Sequence, residues 1–117
     1  MSAPLLHIET SAALPREVDV VVIGGGIVGV STAYYLAKRG VKVVLLEKGR
    51  IGAEQSSRNW GWCRQQNRDA RELPISTNSL ALWDEMAADI GESVGFRRCG
   101  LTYLSNDQAE LEGWARW

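Results

Sequence analysis

One hexapeptide constrains this chain more than any other feature. It is Gly24-Gly25-Gly26-Ile27-Val28-Gly29, a GxGxxG sequence preceded by β-branched residues and followed by a helix-forming stretch. Val18–Ile23 is a short hydrophobic run bounded by glycine, the pattern of a strand buried in a parallel sheet. Ile27–Arg39 predicts a helix, with Val28, Ala33, Leu36 and Ala37 as its apolar face, Lys38 and Arg39 in its last turn, and Gly40 as its stop. Val41–Glu47 predicts a second buried strand. Strand, glycine turn, helix and strand then fall within the 30 residues from 18 to 47, a βαβ unit whose crossover is right-handed.

In such a unit Gly24 permits the tight turn, Gly26 lets the backbone approach a pyrophosphate, and Gly29 lets the helix pack closely on the strand. The helix start offers free N–H groups and a positive dipole end. Glu47 closes the second strand 18 residues past Gly29, where a carboxylate accepts hydrogen bonds from adenosine ribose hydroxyls. Gly24, Gly25, Gly26, Gly29 and Glu47 are therefore the expected dinucleotide-binding positions, with Lys48 either at the adenosine end or simply exposed. An NAD domain would continue strand–helix–strand directly after Glu47. This chain enters a polar loop instead, an arrangement that suits an FAD domain interrupted by other modules; an NAD-dependent dehydrogenase is the competing reading.

The rest of the chain supports a soluble reading. Thirteen basic residues against fourteen acidic ones give a net charge of −1, which offers no electrostatic case for nucleic acid. Cys63 and Cys99 lie 36 positions apart and His7 is the single histidine, so no zinc pattern exists. Two cysteines fit a reducing, cytoplasmic compartment. Val20 to Ala37 carries no charge over 18 residues, but its glycines and the acidic residues before it argue against a membrane span or signal peptide. Residues 1–17, with Pro4 and Pro15, read as an arm. From Lys48 to about Arg68 the composition predicts a long loop, with Trp60 and Trp62 embedded in it. Leu80, Trp83, Ala87 and Ile90 recur at helical spacing before Gly91; Pro74 stands in that helix's first turn or kinks a helix that begins near Asp69. Phe96–Arg98 and Leu101–Leu104 predict two short strands, and Asn106 or Asp107 caps a final helix with Leu111, Trp114 and Ala115 as its stripe. That helix stops at Trp117, and no third strand rich in Val, Ile and Leu follows Glu47 before residue 94. Two parallel strands cannot bury both faces of a sheet, so the expectation is an incomplete parallel sheet in a truncated chain.

Val20-Val21-Val22-Ile23-Gly24-Gly25-Gly26-Ile27-Val28-Gly29 and Val43-Val44-Leu45-Leu46-Glu47-Lys48 resemble the D-amino-acid oxidase superfamily of FAD enzymes, which includes glycine and sarcosine oxidases, D-amino-acid dehydrogenases and opine oxidases. Ser56-Ser57-Arg58-Asn59-Trp60-Gly61-Trp62-Cys63-Arg64 and Phe96-Arg97-Arg98-Cys99-Gly100-Leu101-Thr102-Tyr103-Leu104 extend the resemblance, which runs from about Val18 to the end. It implies an α/β fold, a Rossmann-like FAD-binding unit leading into the start of a substrate domain. Residues 1–17 would be the arm, 18–94 the FAD part and 95–117 the opening of the substrate domain. It implies oxidation of a C–N bond of an amino or imino acid by hydride transfer to FAD, and the protein need supply no general base. It further implies FAD contacts from Ser56, Ser57, Arg58 and Asn59, for which a solvated polar loop is the alternative. Arg64 would face the substrate carboxylate, or else be a surface arginine beside Gln65, Gln66 and Asn67. Trp60 and Trp62 would wall the flavin or substrate, or pack in the core. Cys63 is expected as a small buried residue. A non-catalytic nucleotide-binding remnant is the alternative from another functional class.

Overall fold

The computed structural model describes residues 5–11, 13–91 and 94–116. Pro4 and Trp117, both used in the sequence reading, lie outside the described residues. The element order is β1 (Val20–Ile23), α1 (Ile27–Lys38), β2 (Val43–Leu46), α2 (Gln55–Arg58), α3 (Leu73–Ile90) and α4 (Gln108–Arg116). The chain divides into two compact units, Met1–Trp60 and Gly61–Trp117.

In the first unit β1 and β2 pair in parallel, from Val20 opposite Val43 to Ile23 opposite Leu46. Both strands are built from β-branched and leucine side chains, which suit a pleated surface. The second strand is shorter than the sequence predicts because its first amides are committed elsewhere. Val41 N–H donates to Leu36 O (3.1 Å) at the end of α1, and Lys42 N–H donates to the Asp19 carboxylate (2.9 Å). Asp19 N–H returns a bond to Lys42 O (2.9 Å), so this pair staples the open end of the sheet.

The helix packs on only part of the expected face. Gly29, Ala33 and Leu36 are half-buried, whereas Val28 is 78% exposed and Ala37 is exposed. Gly29 sets this rotation, because its missing side chain lets α1 lie against Val22 and the Gly24 carbonyl. Positions 29, 33 and 36 then follow one helical face. The opposite face of the sheet stays open, with Val21 50% and Ile23 85% exposed. Among the described residues no hydrophobic side chain is fully buried.

In the second unit Pro74 stands in the first turn of α3, where its missing N–H has no acceptor to lose, so no kink results. The helix ends as predicted, with Gly91 N–H donating to Ala87 O (3.2 Å). Phe96–Arg98 and Leu101–Leu104 do not form the expected strands, and no ladder joins them among the described residues. Side chains hold this segment instead. Phe96 stacks on Trp83 of α3 with ring centroids 6.1 Å apart, and Arg98 donates to Asp84 (2.7 Å) and Leu80 O (3.3 Å). A strand requires a hydrogen-bonded neighbour, and two glycines with positive φ, Gly95 and Gly100, turn the chain before one can be met. Asp107, not Asn106, caps α4 by accepting Ala109 N–H at 2.8 Å. Trp114 packs on Tyr103 (5.5 Å between centroids), but Leu111 and Ala115 are exposed. Among the described residues no helix is long and apolar enough to cross a membrane.

The open sheet face predicts the behaviour of the 117-residue polypeptide taken alone. It is expected to bind a hydrophobic dye such as ANS, to associate as concentration rises, and to lack a sharp thermal transition. A monomeric, cooperatively melting sample without FAD would contradict this.

Candidate cofactor site

The site is assembled at the end of β1, the start of α1 and the loop that follows β2. Gly24 has φ 104°, a left-handed value that admits glycine, and its N–H donates to Leu46 O (2.8 Å) as the last rung beyond the ladder. Gly25 is buried; its N–H donates to Glu47 Oε2 (2.7 Å) and its carbonyl accepts Gly52 N–H (2.9 Å). The other oxygen of Glu47, Oε1, accepts Gly49 N–H (2.7 Å). One carboxylate therefore clasps the glycine turn and the loop after β2 together. These amide bonds, first from Gly25 and then from Gly49, hold the Glu47 carboxyl below the ordinary glutamate value, with a smaller contribution from the charge of Lys48. Each oxygen keeps a further lone pair for a ribose hydroxyl.

Gly26 precedes α1 in extended conformation and supplies no side-chain cap. The missing cap comes from a residue 29 positions away: Ile27 N–H donates to Ser56 Oγ at 2.8 Å. A Cβ on Gly26 would sit 3.2 Å from the same oxygen, tighter than most side chains tolerate. A Cβ on Gly29 would overlap the Gly24 carbonyl oxygen, a backbone atom that cannot give way. Gly26, Val28 and Gly29 keep backbone N–H groups without an acceptor among the described residues. They line a cleft of about 640 Å³ together with Thr32, Ser56 and Asn59. Unspent amides at the positive end of a helix, beside backbone no side chain screens, fit the phosphates of a dinucleotide.

The remaining expected positions fall as follows. Ser56 enters the cleft. Ser57 turns its hydroxyl back to Ala53 O and Glu54 O (both 3.1 Å), just before α2. Asn59 caps α2, donating from Nδ2 to Ser56 O (2.8 Å) and Gln55 O (3.2 Å), while also lining the cleft. Arg58 pairs with Glu54 at 3.1 Å on the surface, and Lys48 is exposed. Trp60 and Trp62 are 80% and 57% exposed, so neither packs in a core. Cys63 is exposed too, against the expectation of a buried residue.

Arg64 is half-buried in the second unit, where Nη1 donates to Gln66 O, Asn67 O (3.3 Å) and the Tyr103 hydroxyl (3.4 Å). It lines a separate cleft with Trp62, Cys63, Arg97, Arg98 and Cys99. The sequence reading missed the part played by Gly49, Ile51 and Gly52, which fold over Gly25; the two glycines spaced after Glu47 were the available signal.

Residues 19–117 match the model of the family described as FAD dependent oxidoreductase. Over 103 residues the chain is 32% identical to the sarcosine oxidase subunit beta of Rhodobacter capsulatus, covering 86% of this chain and 25% of that one. Over 95 residues it is 35% identical to human mitochondrial dimethylglycine dehydrogenase, covering 80% of this chain and 11% of that one. The L-amino acid deaminase of Proteus vulgaris superposes with a TM-score of 0.88 at 35% identity, over 95% of this chain and 26% of the deaminase. The chain thus spans about a quarter or less of the length of these proteins.

Two variants of the full-length protein test the site. The lowered pKa of Glu47 means that its contribution to stability is complete above about pH 4.5 and is lost as pH falls through the lower folded value. Glu47→Gln is expected to remove that contribution at neutral pH, to flatten the loss on acidification, and to weaken FAD binding roughly tenfold. Thermal melts at several pH values and a flavin titration read all three. Gly29→Ala is expected to lower the melting midpoint and to abolish FAD retention, measured as the flavin-to-protein absorbance ratio.

Proposed function

The chain belongs to the FAD-dependent oxidoreductase family, and from that premise we propose that the protein oxidises the C–N bond of an amino or imino acid. The cofactor is FAD, and the NAD-dependent reading of the glycine motif falls with that assignment. The observation that carries the proposal is the set of relatives matching the same residues. Sarcosine oxidase, dimethylglycine dehydrogenase and L-amino acid deaminase are each named for a substrate that has an amine nitrogen and a carboxylate in one small molecule.

Bound FAD would supply the acceptor for a hydride from the carbon beside the amine nitrogen. The chain's own residues hold it there. The amides of Gly26, Val28 and Gly29 and the hydroxyl of Ser56 would receive the pyrophosphate, and Glu47 would receive the adenosine ribose while keeping Gly25 and Gly49. Asn59 fixes α2 beside the cleft. Ser57 and Arg58 instead fasten α2 to Ala53 and Glu54, and Lys48 is exposed. Residues 95–117 open the substrate domain. A neutral amine releases hydride without prior proton removal by the protein, so no residue here is assigned as a base.

Arg64 is assigned to the substrate carboxylate. Its Nη1 is spent on the loop and on Tyr103, but Nε and Nη2 have no acceptor among the described residues. That edge of the guanidinium pairs with both oxygens of a carboxylate. A second reading, a flavin-binding module without catalysis, has one observation in its favour. Over 102 residues the chain is 34% identical to a mouse protein named as the regulatory subunit of pyruvate dehydrogenase phosphatase.

The full-length protein separates these readings. Loaded with FAD, it is expected to lose its flavin absorbance near 450 nm when small amino acids are added without oxygen; a spectrum that no amino or imino acid changes would favour the module. Arg64→Lys is expected to raise KM for the amino acid about tenfold or more with FAD content unchanged, and to affect an amine without a carboxylate much less. An unchanged KM would leave Arg64 as a fastener of its own loop.

A further inference from the structure

The cleft of the second unit carries more positive charge than one substrate carboxylate uses. It measures about 610 Å³ and is lined mainly by residues 61–66 and 95–101, with Arg64, Arg97 and Arg98 among them and no aspartate or glutamate. The three arginines are not equivalent. Arg98 is spent: Nε and Nη2 donate to Asp84 Oδ2 (3.1 and 2.7 Å), and Nη2 also reaches Leu80 O (3.3 Å). Asp84 balances its charge. Arg64 is half spent, through Nη1 alone. Arg97 is exposed and stands between Phe96 and Arg98, which α3 holds through Trp83 and Asp84. It has neither a hydrogen bond nor an ion pair among the described residues. A guanidinium does not give up its proton in a protein, so the cleft presents two positive charges with no balancing acid among the described residues.

We propose that this cleft selects an amino or imino acid with a second carboxylate, and that Arg97 is the residue that receives it. Arg64 answers the carboxylate that every amino acid has. A neutral remainder of the substrate would strip water from Arg97 and give it no partner, which costs free energy. A second carboxylate instead takes up the planar fork of Arg97 in a charge-assisted pair. Leu80, Phe96 and Leu101 line the same cleft and suit the methylene stem that joins two acid groups. The extra carboxylate can sit on the side chain or on a substituent of the nitrogen; the chemistry that Arg97 recognises is the same. Arg97 is thus a specificity residue, and Arg98, held by Asp84, is not. This inference rests on the oxidation proposed above and on the place given there to Arg64.

The test uses the full-length protein loaded with FAD and two matched pairs of substrates. Glutamate against glutamine, each as both enantiomers, puts the extra carboxylate in the side chain. Iminodiacetate against sarcosine puts it on the nitrogen substituent. In at least one pair the diacid is expected to have the higher kcat/KM, by about tenfold or more, with the gap narrowing as ionic strength rises. Arg97→Gln is expected to cut that ratio about tenfold, and Arg97→Lys to keep most of it. Both variants are expected to melt with the parent, because Arg97 fastens nothing among the described residues. A protein that oxidises neutral amino acids and prefers neither diacid overturns the second carboxylate and leaves the oxidation standing. An Arg97→Gln variant that keeps the parent's ratio does the same. A protein whose flavin no amino or imino acid reduces overturns the oxidation, and this inference with it.

Discussion

The Glu47 carboxylate receives two amides at once, Gly25 through one oxygen and Gly49 through the other, and most of the first unit depends on that clasp. Without it the turn after β1 and the loop after β2 would be separate excursions from the sheet edge. With it, Gly25 is covered, Gly52 reaches the Gly25 carbonyl, and α2 is delivered to the start of α1. A carboxylate suits the task because it accepts at both ends and donates at neither, so it can join two stretches of backbone that each present N–H groups. The same residue type is what an adenosine ribose requires. One side chain thereby organises the backbone around the cleft and, in the proposed function, would also receive the ribose.

How much of this was legible varies with the physical origin of each feature. The βαβ unit was legible because its strands, glycines and helix stop each obey local rules that agree with one another. The helix face was half legible, in Ala33 and Leu36, and misread at Val28 and Ala37 for a reason the same motif contains: Gly29 counts as nothing on a hydrophobicity pattern, yet its lack of a side chain decides which way α1 rolls onto Val22. The strands expected around Gly100 were misread because alternation describes a strand's faces and says nothing about where its partner is. Phe96 and Arg98 found α3 instead, through stacking and an ion pair that no periodicity encodes. Ser56 could be named from its resemblance to a known segment, but its bond to Ile27 spans 29 positions and is visible only once the loop is folded.

The polar loop after β2 illustrates a general point about such segments. Its composition of serine, asparagine, glutamine and arginine reads as solvated, and much of it is exposed. Even so, its side chains are largely occupied with its own backbone, Ser57 and Asn59 within α2 and Arg64 across Gln66 and Asn67. Polar side chains that satisfy nearby carbonyls substitute for the regular ladders that the loop lacks. This keeps a four-residue helix, too short to persist alone, in one place.

The staple between Asp19 and Lys42, the strand pairing from Val20 to Leu46 and the bond between Ile27 and Ser56 share a property: every one of them closes between residues 19 and 56. On a ribosome, where a chain emerges from its N-terminus at about 5–20 residues per second, all the residues that line the cleft have emerged before Trp62 leaves the exit tunnel. The residues that shape the cleft are thus close in time of synthesis as well as in sequence.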